Sequence, residues 1–125
     1  MLDELLSKQA EVISKVAGDK TADSLGVYAI SRPDTHKIIY VGKTKTKSIQ
    51  GRMKDHLQHK HGDTDSDLAN MVIKREKLPQ NYSDYLVRYL SINEPRDRMR
   101  FEMFAISVLD PALNKDDNKA PLKRK

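Results

Sequence analysis

Gly26-Val27-Tyr28-Ala29-Ile30-Ser31 and Ile38-Ile39-Tyr40-Val41-Gly42-Lys43 are the two runs on which the rest of the chain is read. Both are rich in Val, Ile and Tyr, the residues that suit a pleated, half-buried surface. Arg32-Pro33-Asp34-Thr35-His36 joins them, and Pro33-Asp34 is turn chemistry. The pattern predicts a hairpin with strands over 25–31 and 37–43. Simple alternation puts Val27, Ala29 and Ser31 on one face and Tyr28 and Ile30 on the other. In the second strand it pairs Ile38 with Tyr40 and Ile39 with Val41. Two phenols, Tyr28 and Tyr40, thus stand on adjacent strands, each two residues from a glycine that permits close approach.

Downstream, Lys43, Lys45 and Lys47 alternate through a basic polar loop. A helix over about 48–60 follows, with Ser48 as its N-cap and Ile49, Met53 and Leu57 as its apolar stripe. Arg52 and His56 lie four apart on a separate face that His59 and Lys60 extend, and Lys54 adds charge to the same helix. Gly51 costs about 1 kcal/mol against Ala inside a helix, and close backbone approach is a reason to expect it there. A second helix is expected from 65 or 66 to 77, ended by Pro79. A strand follows over 84–92. Asn93-Glu94-Pro95 then opens a last helix that Asp110-Pro111 terminates after Leu109. Upstream, Leu2, Leu5, Leu6, Ala10, Ile13 and Val16 fit one amphipathic helix over 2–17, stopped at Gly18.

These elements predict an α+β fold: a small three-stranded antiparallel sheet flanked by helices, in the order β-β-α-α-β-α, with an extra N-terminal helix. The expected division is an N-terminal helix over 1–20, one domain over 24–115 and a charged flexible tail over 116–125.

Composition narrows the function. The chain has 125 residues, of which 38% are hydrophobic and 33% charged, with a net charge of +5. That length supports one domain and one modest core. The basic excess is local, since residues 32–60 hold eight Lys or Arg against two Asp. Such a stretch favours a polyanionic partner, or is a solvated basic face. The absence of cysteine excludes disulfides, thiolate metal sites and a Cys nucleophile, and fits a reducing cytoplasm. No apolar run is long enough to span a bilayer, and the N-terminus has no secretory core. A cytoplasmic protein without a membrane partner is expected, as monomer or homodimer.

Glu102 is the sharpest chemical signal, because only it and Ser107 are polar between Phe101 and Leu109. A carboxylate on a helix packed on several sides must be paired, protonated or metal-bound. Arg98, one turn earlier, is the plain structural partner. A single carboxylate that leaves most of a metal's shell to water and phosphate suits Mg²⁺. A phenol near cations or a metal loses its proton more easily, so Tyr28 or Tyr40 is a candidate general base. Arg52 can grip phosphate oxygens and stabilise building charge, and His56 can donate a hydrogen bond or relay a proton. Lys45 and Lys47, with Lys54, His59 and Lys60, are candidates for contacts to a nucleic-acid backbone, and Lys43 is best placed to reach the scissile phosphate. His56, His59 and His61 are a weak zinc set without cysteine or a confirmed fourth ligand.

Taken in order, Gly26-Val27-Tyr28, Tyr40-Val41-Gly42, Arg52, His56, Glu102 and Asn114 after Pro111 resemble the GIY-YIG nuclease family. Both triplets carry Val where the eponymous motifs have Ile. His56, one turn after Arg52, resembles the restriction-endonuclease-like branch. The resemblance covers about residues 24–115. It implies a metal-dependent endonuclease acting on DNA, with RNA also open, and Mg²⁺ or Mn²⁺ as cofactor. It implies that Glu102 binds the ion and that Tyr28 is the general base or activates water together with Lys43. By the same resemblance Tyr40 orients the phosphate or water, Arg52 and His56 stabilise the phosphorane, and Asn114 holds the site together. Two other functions fit parts of the sequence: a binding module of the same fold that cleaves nothing, and a protein-interaction adaptor built on the N-terminal helix.

Overall fold

A computed structural model describes residues 1–57 and 84–114. The expected helix over 65–77, the loop before it and the charged tail lie outside the described residues, as do His59, Lys60 and His61.

The fold is α+β. The hairpin strands β2 (Gly26–Ser31) and β3 (Ile38–Lys43) form with the expected bounds to within a residue. Strand β4 (Leu86–Ser91) pairs antiparallel with β2. The sheet has four strands rather than three, because β1 (Glu11–Val12) pairs with β4 through Glu11–Val87 and Val12–Leu86. The strand order is β1-β4-β2-β3, and every pairing is antiparallel.

Strand β1 interrupts the single helix expected over 2–17. The segment divides into α1 (Leu2–Ser7), β1 and α2 (Ile13–Ala17). The open edge of β4 offers unpaired backbone groups, which Glu11 and Val12 take up, and Ile13 N–H adds a bond of 2.8 Å to the Tyr85 carbonyl. Packing gives a second reason. Leu5 is buried on one face of the sheet, beside Val27, Ala29 and Val41, whereas Ile13 and Val16 are buried on the other, beside Tyr28 and Ile30. One straight helix presents its apolar stripe to one side. A break at the sheet edge lets the segment cover both faces.

Strand β3 carries a second departure. The register shifts between Ile30, paired with Tyr40, and Ser31, paired with Ile38, so Ile39 is an extra residue. This bulge reverses the alternation. Ile39 and Tyr40 both pack on the Tyr28 face, while Ile38 and Val41 pack on the opposite one. The expected pairing of Ile38 with Tyr40 is thereby replaced, and Tyr40 joins Tyr28.

Helix α3 (Ile49–Leu57) covers the Tyr28 face together with α2. Ser48 caps it as expected, its Oγ accepting from Gly51 N–H at 3.1 Å. The loop after α2 satisfies two more of its first N–H groups, from Ile49 to the Ser24 carbonyl and from Gln50 to that of Ala22. A Cβ on Gly51 would meet its nearest atoms at 3.5 Å, ordinary contact, so close approach does not account for this glycine. Helix α4 (Pro95–Leu109) covers the other face through Phe101, Ala105 and Ile106. Its ends are those the sequence predicts. Glu94 caps the N-terminus by accepting from Arg96 and Asp97 N–H, Pro95 is the first helical residue, and Asp110 ends the helix at φ 48°. A 3-10 turn, Ala112–Asn114, returns to β3. Among the described residues, no helix is long and apolar enough to cross a membrane.

Candidate active site

The two motif glycines make room for the two phenols and for the sheet that carries them. Gly42 stands opposite Tyr28 in the β2–β3 register. A Cβ there would sit 2.5 Å from Tyr28 Oη and 2.9 Å from Tyr40 Cε2. Without a side chain at 42, the Tyr28 ring lies across β3. A Cβ on Gly26 would collide with the Leu90 carbonyl, so this glycine lets β4 approach.

Helix α3 closes over these rings. Tyr28 Oη and His56 Nε2 are 2.7 Å apart. The rings of Tyr28, Tyr40 and His56 form a triangle with centroid separations of 5.6 to 6.3 Å. Tyr28 is fully buried, His56 is 1% exposed and Tyr40 is half-buried. Burial holds the Tyr28 phenol protonated well above its ordinary range, and the field of Tyr40 adds to this. The nearby Arg52 opposes that shift, while the charge of Glu102 reinforces it. The expectation that neighbouring cations would ease the proton off is outweighed by desolvation in the free protein. His56 moves the other way, to a pKa of about 3, first because it is buried and then because Arg52 lies near. It is therefore neutral at neutral pH.

Arg52 belongs to two environments. Its charge acts on Tyr28, and it lines a cleft with Lys43, Lys45, Thr46, Lys47 and Asp55. Lys43 is half-buried, while Lys45 and Lys47 are exposed at the rim. Lys54 is exposed on α3 but does not line that cleft, since residues two apart on a helix point away from one another.

Glu102 is half-buried on α4, and its charge acts on Tyr28. Asn114 is buried and clamps the edge strand: Val41 N–H donates to its Oδ1 at 2.6 Å, and its Nδ2 donates to the Val41 carbonyl at 2.9 Å. This clamp satisfies backbone groups of β3 that have no strand beside them. Tyr28, Tyr40, Arg52 and His56 are brought together, and Lys43, Lys45 and Lys47 are set beside them.

Arg98, which the sequence offers only as a partner for Glu102, has a larger role that spacing to Glu102 does not reveal. It is 4% exposed and donates to the carbonyls of Thr44, Ile92, Asn93 and, at 3.4 Å, Lys45. Its guanidinium fastens the start of α4 and the end of β4 to the lysine loop. Thr44 takes part too, its Oγ1 accepting from Gly26 N–H at 2.9 Å. The signal for Arg98 lay in spacing. Arg98, Phe101 and Ala105 are buried along one stripe, so position 98 falls among the core residues.

A divalent cation fits the donor set. No group of three or more His, Asp or Glu side chains able to cage a metal occurs among the described residues. Glu102 offers one hard oxygen donor group, and its field presses on a buried phenol that a cation would relieve. That chemistry suits an ion largely coordinated by water and phosphate, not a zinc cage. His56, the one described member of the candidate zinc trio, has its Nε2 against Tyr28.

No curated protein and no solved structure matches the chain. The family model of the GIY-YIG catalytic domain matches residues 24–115, from just before β2 to just past Asn114. This is well over half of the chain, and it contains both glycine–tyrosine motifs, Arg52, His56, Glu102 and Asn114. The chain belongs to the GIY-YIG family of nuclease domains.

Proposed function

We propose that this protein is a metal-dependent endonuclease that hydrolyses DNA phosphodiester bonds. The observation that carries the reading is the double position of Arg52, near enough for its charge to act on the buried Tyr28 hydroxyl and lining the lysine-rimmed cleft. A phosphate bound there meets cations along its oxygens and a phenol–imidazole pair behind Arg52. His56, one turn after Arg52, favours the restriction-endonuclease-like branch of the family.

Glu102 would hold Mg²⁺ or Mn²⁺, which supplies charge neutralisation at the phosphate oxygens. Lys43, Lys45 and Lys47 draw the backbone into the cleft. Arg52 stabilises the negative charge that builds as phosphorus becomes five-coordinate. Tyr28, once ionised, takes a proton from the attacking water, and His56 Nε2 would hydrogen-bond the phenolate. Burial disfavours the phenolate, and the positive charge of Arg52 offsets part of that cost. Tyr40 orients the phosphate from the adjacent strand. Asn114 and Arg98 keep the strand and the loop in place.

Incubation with supercoiled plasmid tests the reading. The wild-type protein is expected to nick only with Mg²⁺ or Mn²⁺ present, and Glu102→Ala is expected to bind without nicking. Paired nicks from two subunits would linearise the plasmid. Binding without nicking by the wild type would instead identify a non-catalytic module, and no binding at low salt would favour an adaptor.

A further inference from the structure

Asp55 is an acidic side chain on the wall of the basic cleft, and the hydrolysis proposed above does not use it. Its Oδ2 lies 2.6 Å from Lys47 Nζ and 3.7 Å from Arg52 Nη1. Two cations, one from the loop and one from α3, therefore converge on a single oxygen. Lys47 is 59% exposed, whereas Arg52 and Asp55 are 18% and 19% exposed, so the point of convergence lies just inside the cleft. An anionic oxygen held between an ammonium and a guanidinium has the charge and acceptor character of a non-bridging phosphate oxygen.

We propose that Asp55 stands in for a substrate phosphate. In the free protein it gathers Lys47 and Arg52 at the point where a phosphate flanking the scissile one docks, and that phosphate displaces it on binding. The inference rests on the nucleic-acid reading above and assigns a subsite within it. A lone phosphate must compete with the carboxylate for both cations. A polynucleotide presents neighbouring phosphates to Arg52 and Lys47 together. Asp55 is thus a specificity-determining residue that favours a continuous backbone over isolated phosphates, and it touches no reacting atom.

Anisotropy of a short labelled DNA duplex in EDTA, between about 50 and 200 mM salt, reads this directly. Asp55→Asn is expected to bind about fivefold more tightly at the low-salt end, the size of one charge removed at about 4 Å in water. Its slope of log K against log salt is expected to steepen by about one. Lys47→Gln weakens binding, and in that background Asp55→Asn gains less than about twofold, because the nearer of the two cations it masked is gone and Arg52 lies at 3.7 Å. Asp55→Ser, which removes the charge without introducing an amide, repeats the gain. Equal or weaker binding by both charge-removing variants, with thermal melts like the wild type, would reduce Asp55 to a brace for the loop. A full gain in the Lys47→Gln background would make it a general charge effect, and either result overturns the proposal. The nuclease reading fails separately, if the wild type binds duplex but never nicks. No duplex binding by any variant at low salt overturns both.

Discussion

Two buried polar groups flank the lysine loop, and they are held in opposite ways. Arg98 donates to backbone carbonyls from two segments, Thr44–Lys45 and Ile92–Asn93. The Tyr28 hydroxyl meets a side chain, His56, and lies in the field of Arg52. Backbone acceptors are fixed by the fold and do not titrate, so Arg98 has one state and a structural task. Side-chain partners rotate, shift their pKa values and exchange protons, so Tyr28 sits in a group that can change state. Burial alone does not separate a strut such as Arg98 from the general base proposed at Tyr28; the nature of the partners does.

Substitution at each group sharpens that contrast. Arg98→Met should cost about 3–5 kcal/mol in urea melts, because several buried carbonyls lose a charged donor at once. Tyr28→Phe should behave in reverse. Plasmid nicking should fall by about a hundredfold or more, while stability changes by only about 1 kcal/mol, the worth of one hydrogen bond. A Tyr28→Phe protein that nicks normally would return Tyr28 to the core and end its distinction from Arg98.

His56 extends the comparison to pH. Its folded pKa of about 3 lies below the ordinary 6.5, so the unfolded chain binds the extra proton between those values. Its contribution is fully present above pH 6.5 and is lost as pH falls toward 3. Stability should drop by on the order of 1–2 kcal/mol from pH 6.5 to 5 on this account, with other groups adding their own terms. His56→Gln should flatten that limb of the urea-midpoint profile, and an unchanged profile would place the imidazole in water. The smallest effect belongs to Gly51→Ala. With ordinary contacts awaiting a Cβ, the variant should gain about 0.5–1 kcal/mol from helix propensity, readable as a raised melting temperature.

Much of this was legible without coordinates. Ser48, Glu94, Pro95 and Asp110-Pro111 mark helix ends through bonds to residues a few positions away. The hairpin is equally local, and its turn is fastened by Arg32 to Asp34, whose carboxyl is held at a pKa of about 2. The N-terminal segment was harder. Its apolar spacing satisfies a helix, and nothing within it says that the stripe serves two faces of a sheet. Arg98 was hard for a similar reason, since its acceptors at Thr44 and Lys45 lie more than fifty residues away.

The sequence by itself determined the α+β class, the hairpin, the start of α3, both ends of α4, and the family, because motifs, caps and turns act over a few residues. Tertiary structure alone decided that Glu11-Val12 is a strand, that the Ile39 bulge turns Tyr40 toward Tyr28, that His56 is buried and neutral, and that Asp55 draws Lys47 and Arg52 to one oxygen. Each of these depends on which open edge, cavity or charge a distant part of the chain delivers, and one-dimensional spacing carries no record of that.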